Sequence, residues 1–171
     1  MSAVCEKTGA DVSEVANIMG MDGRIGSKFL NASVGLGGSC FKKDILNLFY
    51  LCRVEGLEEV ADYIEKVVRI NEYQKERFVL NMLRAVFNTL AGKKIYLFGF
   101  AFKADTADTR QSPAIDVARM LLEEHAEVVV TDPQALANAR GDLASVEKGF
   151  AFAEDPYEAI RGCHSIAVRA E

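Results

Sequence analysis

The 171-residue chain has a formal net charge of −5, is half hydrophobic, and holds four cysteines and two histidines with no long basic run. That is the composition of a globular protein with one domain or two small ones. It argues against nucleic acid as a main partner, against a membrane span, which needs about 20 apolar residues, and against a histidine-rich metal site.

Ser2 to Thr8 read as the last turns of a helix closed by Gly9. Asp11 or Ser13 can cap the next helix, which carries Val12, Val15, Ala16, Ile18 and Met19 and stops at Gly20. Residues 21–39 read as a loop with five glycines and at most a short turn near Lys28 to Asn31. A helix from Cys40 to about Glu55 places Phe41, Ile45, Leu48, Phe49 and Cys52 at helical spacing. Then a pattern from Glu58 to Leu90 carries two apolar stripes, Ile64/Val67/Val68 and Val79/Met82/Leu83/Val86/Phe87/Leu90. A continuous helix of that length would span roughly 50 Å, more than a small domain needs for itself, which suggests an inter-subunit or inter-domain role.

At Ala91-Gly92 the period changes. Lys94 to Gly99, Val128 to Val130, Phe150 to Phe152 and Ser165 to Val168 read as strands. Helices are expected at Ser112 to Glu124 and at Pro156 to Ile160. Strands alternating with helices imply a parallel α/β sheet. The expected fold is therefore α followed by α/β: a helical domain over residues 1–92 and a Rossmann-like domain over 93–171. A start on a helix stub and an end just after a strand suggest a piece of something longer.

Two segments carry chemistry. In Val34-Gly35-Leu36-Gly37-Gly38-Ser39-Cys40-Phe41-Lys42-Lys43-Asp44, a glycine-rich loop runs into a thiol at a helix start. Glycine allows close backbone approach and positive φ, and a helix N-terminus favours the thiolate. Lys42 and Lys43 add to that field, and Asp44 lies one turn on along the same face. A lone free cysteine is ordinarily a buried structural thiol, which is how Cys5, Cys52 and Cys163 read; the flanking glycines set Cys40 apart. The second segment, Gly99 to Arg110, follows the first strand, where doubly wound sheets bind ligands. It lacks G-x-G-x-x-G and offers Lys103 and Arg110 instead, as phosphate-binding cations or as members of a solvated loop whose charges pair.

The run Arg24-Ile25-Gly26-Ser27-Lys28-Phe29-Leu30-Asn31-Ala32-Ser33 leading into the cysteine segment, together with Asn71-Glu72-Tyr73-Gln74 and Gly99 to Arg110, resembles the UDP-glucose/GDP-mannose dehydrogenase family. Phe-Leu-Asn-Ala-Ser-Val favours its UDP-glucose branch over GDP-mannose or other nucleotide-sugar members. Ala104 and Ala107 depart from the lysine and glycine common there. The resemblance implies a central helical domain, which dimerises through its long helix, and most of a UDP-binding domain. The family's N-terminal NAD-binding domain is not matched. Its chemistry implies oxidation of UDP-glucose to UDP-glucuronate in two hydride transfers to NAD, through a cysteine thiohemiacetal and thioester.

By the same resemblance Cys40 is the nucleophile and Asp44 handles the hydrolytic water. Phe29, Leu30, Asn31, Ser33, Leu36, Gly37, Phe102 and Lys103 line the UDP-sugar, and Arg24 reaches it across a dimer contact. Cys40, Phe41, Lys42, Lys43 and Arg110 touch NAD. Alone, the chain is expected to be inactive. Two other classes stay open: a non-catalytic nucleotide-binding or dimerisation module, and a cysteine acyl-transferase or hydrolase, for which no histidine is placed beside Cys40. Free thiols and no visible secretory signal suggest the cytoplasm.

Overall fold

A computed structural model describes residues 1–144 and 149–168. It divides into two compact units, Met1–Ser33 and Val34–Glu171.

In the first unit, α1 (Ser2–Thr8) ends at Gly9 in the left-handed region, and α2 (Val12–Gly20) is capped by Asp11, whose side chain accepts the Ser13 N–H at 2.7 Å. Of the two expected caps, Asp11 is the one used. Beyond α2 the chain turns on Asp22, whose carbonyl accepts the N–H groups of Ile25 and Gly26 at 3.0 and 2.9 Å.

The second unit begins with the helical hairpin α3 (Ser39–Val54) and α4 (Glu58–Ala85). Gly56 takes φ 71° at the turn, and Leu57 N–H bonds back to Cys52 O at 2.9 Å. Arg53 ties the turn to Glu58 and Asp62. α4 is shorter than its apolar pattern: 28 residues, or about 42 Å. It stops because Phe87 and Asn88 both take positive φ, with Asn88 N–H on Leu83 O at 2.9 Å, a reversal that turns the chain toward the sheet. Val86 and Leu90 stay buried, but Phe87 is 88% exposed and leaves the stripe to which its spacing assigned it.

The sheet holds β1 (Lys94–Phe98), β2 (Glu127–Thr131), β3 (Phe150–Phe152) and β4 (Ser165–Val168) in the order β3-β2-β1-β4, all parallel. α5 (Pro113–Glu123) starts with Ser112 as cap and Pro113 in its first turn; a short α7 (Pro156–Ala159) precedes β4. Between β2 and β3 lies α6 (Leu136–Asp142), a helix that periodicity does not announce. Its seven residues include Asn138 and Gly141, and only Ala139 within it is buried. One core joins Ile95, Leu97, Val128 and Val130 of the strands to Val117 and Leu121 of α5, to Val79 and Met82 of α4, and to Val86 just after it. That shared core groups α4, and α3 packed on it, with the sheet in the second unit. Among the described residues no helix is long and apolar enough to cross a membrane.

Asp132, just after β2, fastens the carboxyl ends of β1 and β2. Its Oδ2 accepts the N–H groups of Phe100 and Ala101 at 2.7 and 3.0 Å, and its Oδ1 those of Gln134 and Ala135 at 2.8 and 2.6 Å. Burial pushes this carboxyl up, but the four backbone donors outweigh it and hold it below the usual carboxylate range. Its stabilisation is therefore present above the unfolded carboxyl's pKa and is lost as pH falls through the lower folded value. Asp132→Ala leaves these donors unmatched and is expected to cost about 3 kcal/mol, measured as a lower urea midpoint at neutral pH; an unchanged midpoint would remove Asp132 from this role.

Candidate functional site

α3 starts from Gly38, which takes φ 87°, a conformation that suits glycine, so Ser39 and Cys40 occupy the helix's first two positions. Cys40 is exposed, whereas Cys5 and Cys52 are buried and Cys163 is half-buried, donating to Ala159 O. Asp44 is exposed one turn along α3.

The glycines that lead to Cys40 are pressed between two walls. A Cβ on Gly37 would lie 2.9 Å from both Phe102 Cβ and Pro113 Cδ and 3.0 Å from Gln111 O. One on Gly38 would meet the Phe102 ring at 3.0 Å. On the opposite side, a Cβ on Gly35 would fall 2.7 Å from Asn71 Oδ1. The loop is fastened at both walls: Leu36 N–H donates to Asn71 Oδ1 at 2.7 Å, and Gly38 N–H to Arg110 O at 3.2 Å. Thus the Gly99–Arg110 segment packs directly on the cysteine loop, though the two lie some 60 residues apart in sequence.

Within that segment Phe102 N–H bonds Asp108 O at 3.0 Å, and the Lys103 ammonium sits 5.5 Å from the Phe102 ring centroid. Arg110 is clamped by Asp108 through Nε and Nη2. The Arg110 side chain first, with its backbone N–H second, holds the Asp108 carboxyl down to about 2. The hydrogen bonds from Arg110 to Asp108 raise the guanidinium in turn.

Lys42 pairs with Glu72 at 3.1 Å, and Glu72 also pairs with Lys75, which bonds Asp116 of α5. Lys75 is 3% exposed. Burial raises the Glu72 carboxyl, but hydrogen bonds from Lys75 and Lys42 more than offset this and hold it low; burial likewise lowers Lys75, and its two carboxylate partners override that. Of these residues the sequence reading singled out Lys42, but not Asn71, Glu72, Lys75 or Asp116, as site residues. The Asn71-Glu72-Tyr73-Gln74 motif was the signal, polar residues where α4 turns a face inward.

The fold thus brings together Leu36, Gly37, Cys40, Phe102, Lys103 and Arg110, with Phe41, Lys42, Lys43 and Asp44 on the adjoining first turns of α3. Phe41 is exposed, as are Lys43 and Asp44. Arg24, Phe29, Leu30, Asn31 and Ser33 belong to the first unit. There Arg24 is held by Asp22, Phe29 is 97% exposed, Leu30 is half-buried, and Asn31 and Ser33 are exposed.

Residues 1–73 match the central domain of the UDP-glucose/GDP-mannose dehydrogenase family and residues 96–171 its UDP-binding domain. Along its whole length the chain is 50% identical to UDP-glucose 6-dehydrogenase 1 of Oryza sativa subsp. japonica and 52% identical to UDP-glucose 6-dehydrogenase of Caenorhabditis elegans. It spans 39% and 37% of those two proteins. Among solved structures, a UDP-glucose dehydrogenase from the archaeon Pyrobaculum islandicum superimposes with TM-score 0.85 at 34% identity, over 96% of this chain and 37% of that one. A GDP-mannose dehydrogenase from Pseudomonas aeruginosa, at 22% identity and TM-score 0.69 over 98% of this chain and 39% of that one, shares the fold.

Two predictions follow from exposure and pairing. Brief iodoacetamide treatment is expected to label Cys40 ahead of Cys5, Cys52 and Cys163, read by peptide mass spectrometry; equal labelling would contradict the exposed thiol. The Asp108 carboxyl is expected to titrate near 2 by carbon NMR, and Arg110→Ala to return it toward about 3.9. Because the folded value is the lower one, what the pair adds to stability is present at neutral pH and fades as pH falls toward that value.

Proposed function

Because the chain belongs to the UDP-glucose/GDP-mannose dehydrogenase family, we propose that it supplies the thiol and much of the sugar-nucleotide site of an NAD-dependent enzyme that oxidises UDP-glucose at C6 to UDP-glucuronate. The observation that carries this reading is Cys40, exposed at the start of α3, with the Gly38 N–H just before it bonded to Arg110 O.

The exposed Lys43 and Arg110 beside an exposed thiol fit an anionic cofactor; with Phe41 and Lys42 they form the face that would hold it. The chemistry NAD supplies when bound is acceptance of one hydride per molecule, so two NAD molecules are used in turn, one for each oxidation. Cys40 does the covalent work. Once the C6 alcohol has become an aldehyde, Sγ adds to its carbon and the thiol proton passes to the carbonyl oxygen, giving a thiohemiacetal. Loss of the C6 hydrogen as hydride and of the hydroxyl proton leaves a thioester on Sγ. Water then attacks the acyl carbon, the C–S bond breaks, and carboxylate and thiol are released. Asp44, on the same helix face as Cys40, accepts the water's proton. Leu36, Gly37, Phe102 and Lys103 are assigned to the UDP-sugar; for Phe29, Leu30, Asn31 and Ser33, and for Arg24 from a second copy, the same assignment rests on the family resemblance alone.

Self-association through α4 belongs to the same proposal, supported by the exposed apolar Val60, Tyr63, Ile70 and Tyr73 along that helix. So does a reducing compartment, the cytoplasm, supported by four free thiols. One observation favours a second reading, a nucleotide-binding or dimerisation module without catalysis: the 171 residues contain no G-x-G-x-x-G.

The assay is NADH formation. The gene product containing this chain is expected to release two NADH per UDP-glucose, and Asp44→Asn to slow turnover by about 100-fold. Cys40→Ala should lose UDP-glucuronate formation. The 171-residue chain alone should produce no NADH. A stoichiometry of one NADH per sugar would sink the thioester route, and GDP-mannose as the better substrate would move the enzyme to another branch.

A further inference from the structure

Cys40 has two tethers to α4, one on each side of it in sequence, and both come from adjacent residues of that helix. Four residues before the thiol, Asn71 holds the Leu36 peptide in both directions: Oδ1 accepts its N–H at 2.7 Å, and Nδ2 donates to its C=O at 3.4 Å. Two residues after the thiol, Glu72 holds Lys42 at 3.1 Å. Between these points lie Gly37 and Gly38, whose backbone is the most costly in entropy to hold still, and the first residues of α3, with one further bond from Gly38 N–H to Arg110 O.

We infer that Asn71 and Glu72 form a two-point clamp whose task is to fix the position of the Cys40 sulfur. Asn71 is 8% exposed, so its bond to Leu36 is little weakened by water. Gly35 gives it room: a side chain there would collide with Oδ1. Glu72 carries a second cation on its other side, Lys75, which bonds Asp116 of α5. The carboxylate therefore stays anchored to its own helix whether or not Lys42 lets go. The stem of Lys75 also closes the floor under the loop, its Cγ 3.6 Å from where a Gly35 Cβ would stand. Lys42, which resemblance assigns to the cofactor, gains a second duty as the outer tether.

Asn71 and Glu72 are positioning residues here, acting through Leu36 and Lys42 and touching no reacting atom. The clamp rests on Cys40 being the functional thiol, but its test needs neither substrate nor NAD. A failed clamp therefore leaves the dehydrogenase reading standing, and a failed NADH assay leaves the clamp standing.

The test labels the full chain with 3-bromo-1,1,1-trifluoroacetone, with the Cys40 fluorine resonance identified by its loss in Cys40→Ser. The wild type is expected to show one Cys40 resonance displaced from that of the urea-unfolded chain. In Asn71→Ala and in Glu72→Gln that resonance is expected to split, broaden or move toward the unfolded position, with the Cys163 resonance unmoved. Asn71→Asp keeps the shape and the acceptor but loses the donor to Leu36 O, and is expected to do the same. It also stands in for Asn71→Ala should that variant unfold, an event that labelling of buried Cys52 reports. A wild-type resonance already at the unfolded position, or a Cys40 resonance that none of the variants alters, would overturn the clamp.

Discussion

The site depends on one close approach, the glycine backbone of residues 35–38 squeezed between Asn71 on α4 and Phe102 with Pro113 on the far side. Side chains at Gly37 and Gly38 would clash with Phe102 at 2.9–3.0 Å, so the contact exists only because these positions carry no Cβ. It sets where α3 begins, since Gly38 at φ 87° is the residue from which the helix departs. It also sets what Cys40 faces, because Gly38 N–H is bonded to Arg110 O and the arginine follows from there. Glycine thus serves close packing here more than flexibility, and the tethers on either side remove the freedom that glycine would otherwise bring.

The wall opposite α4 has its own support. The turn after β1 contributes Phe102 and Arg110, and its first residues are held by Asp132 from the neighbouring strand. Ser112 adds a second brace: its hydroxyl donates to Phe100 O at 2.7 Å and accepts the Ala114 N–H that opens α5. In a dinucleotide-binding sheet, an acidic residue at the end of the second strand reads the ribose. Here Asp132 spends both oxygens on backbone N–H groups. A long turn braced by Asp132 and Ser112 stands where a dinucleotide-binding sheet has its glycine-rich turn.

Much of this was legible where local rules act alone. Asp11, Ser112-Pro113 and Gly9 mark helix ends because caps depend on a few neighbouring atoms. The strands stand out because buried parallel strands are continuous apolar runs. Periodicity overran α4, since an apolar residue such as Phe87 looks the same whether the chain continues helical or reverses. It missed α6 because a seven-residue helix containing Asn138 and Gly141 has too little face to show a period. In the site, Cys40 was legible from its glycines. Asn71 and Glu72 were visible only as motif letters, because their partners Leu36 and Lys42 lie 30 or more residues away. A hydrogen bond across that distance leaves no mark in local spacing.

The two arginines assigned to ligand share a device that neither composition nor the sequence reading separated from ordinary surface charge. Asp22-Gly23-Arg24 and Asp108-Thr109-Arg110 fold alike. In each, the aspartate Oδ1 accepts the arginine backbone N–H at 2.9 Å and Nε at 3.0 Å, while Nη2 reaches the aspartate. Exposed ion pairs contribute little to stability, and stability is not what this geometry secures. An arginine loses considerable rotamer freedom on binding an anion; here the aspartate two residues earlier removes that freedom beforehand and leaves Nη1 outside the pair. The same geometry recurs in separate units, and in each it is set by bonds spanning only two residues, as a locally determined arrangement would be.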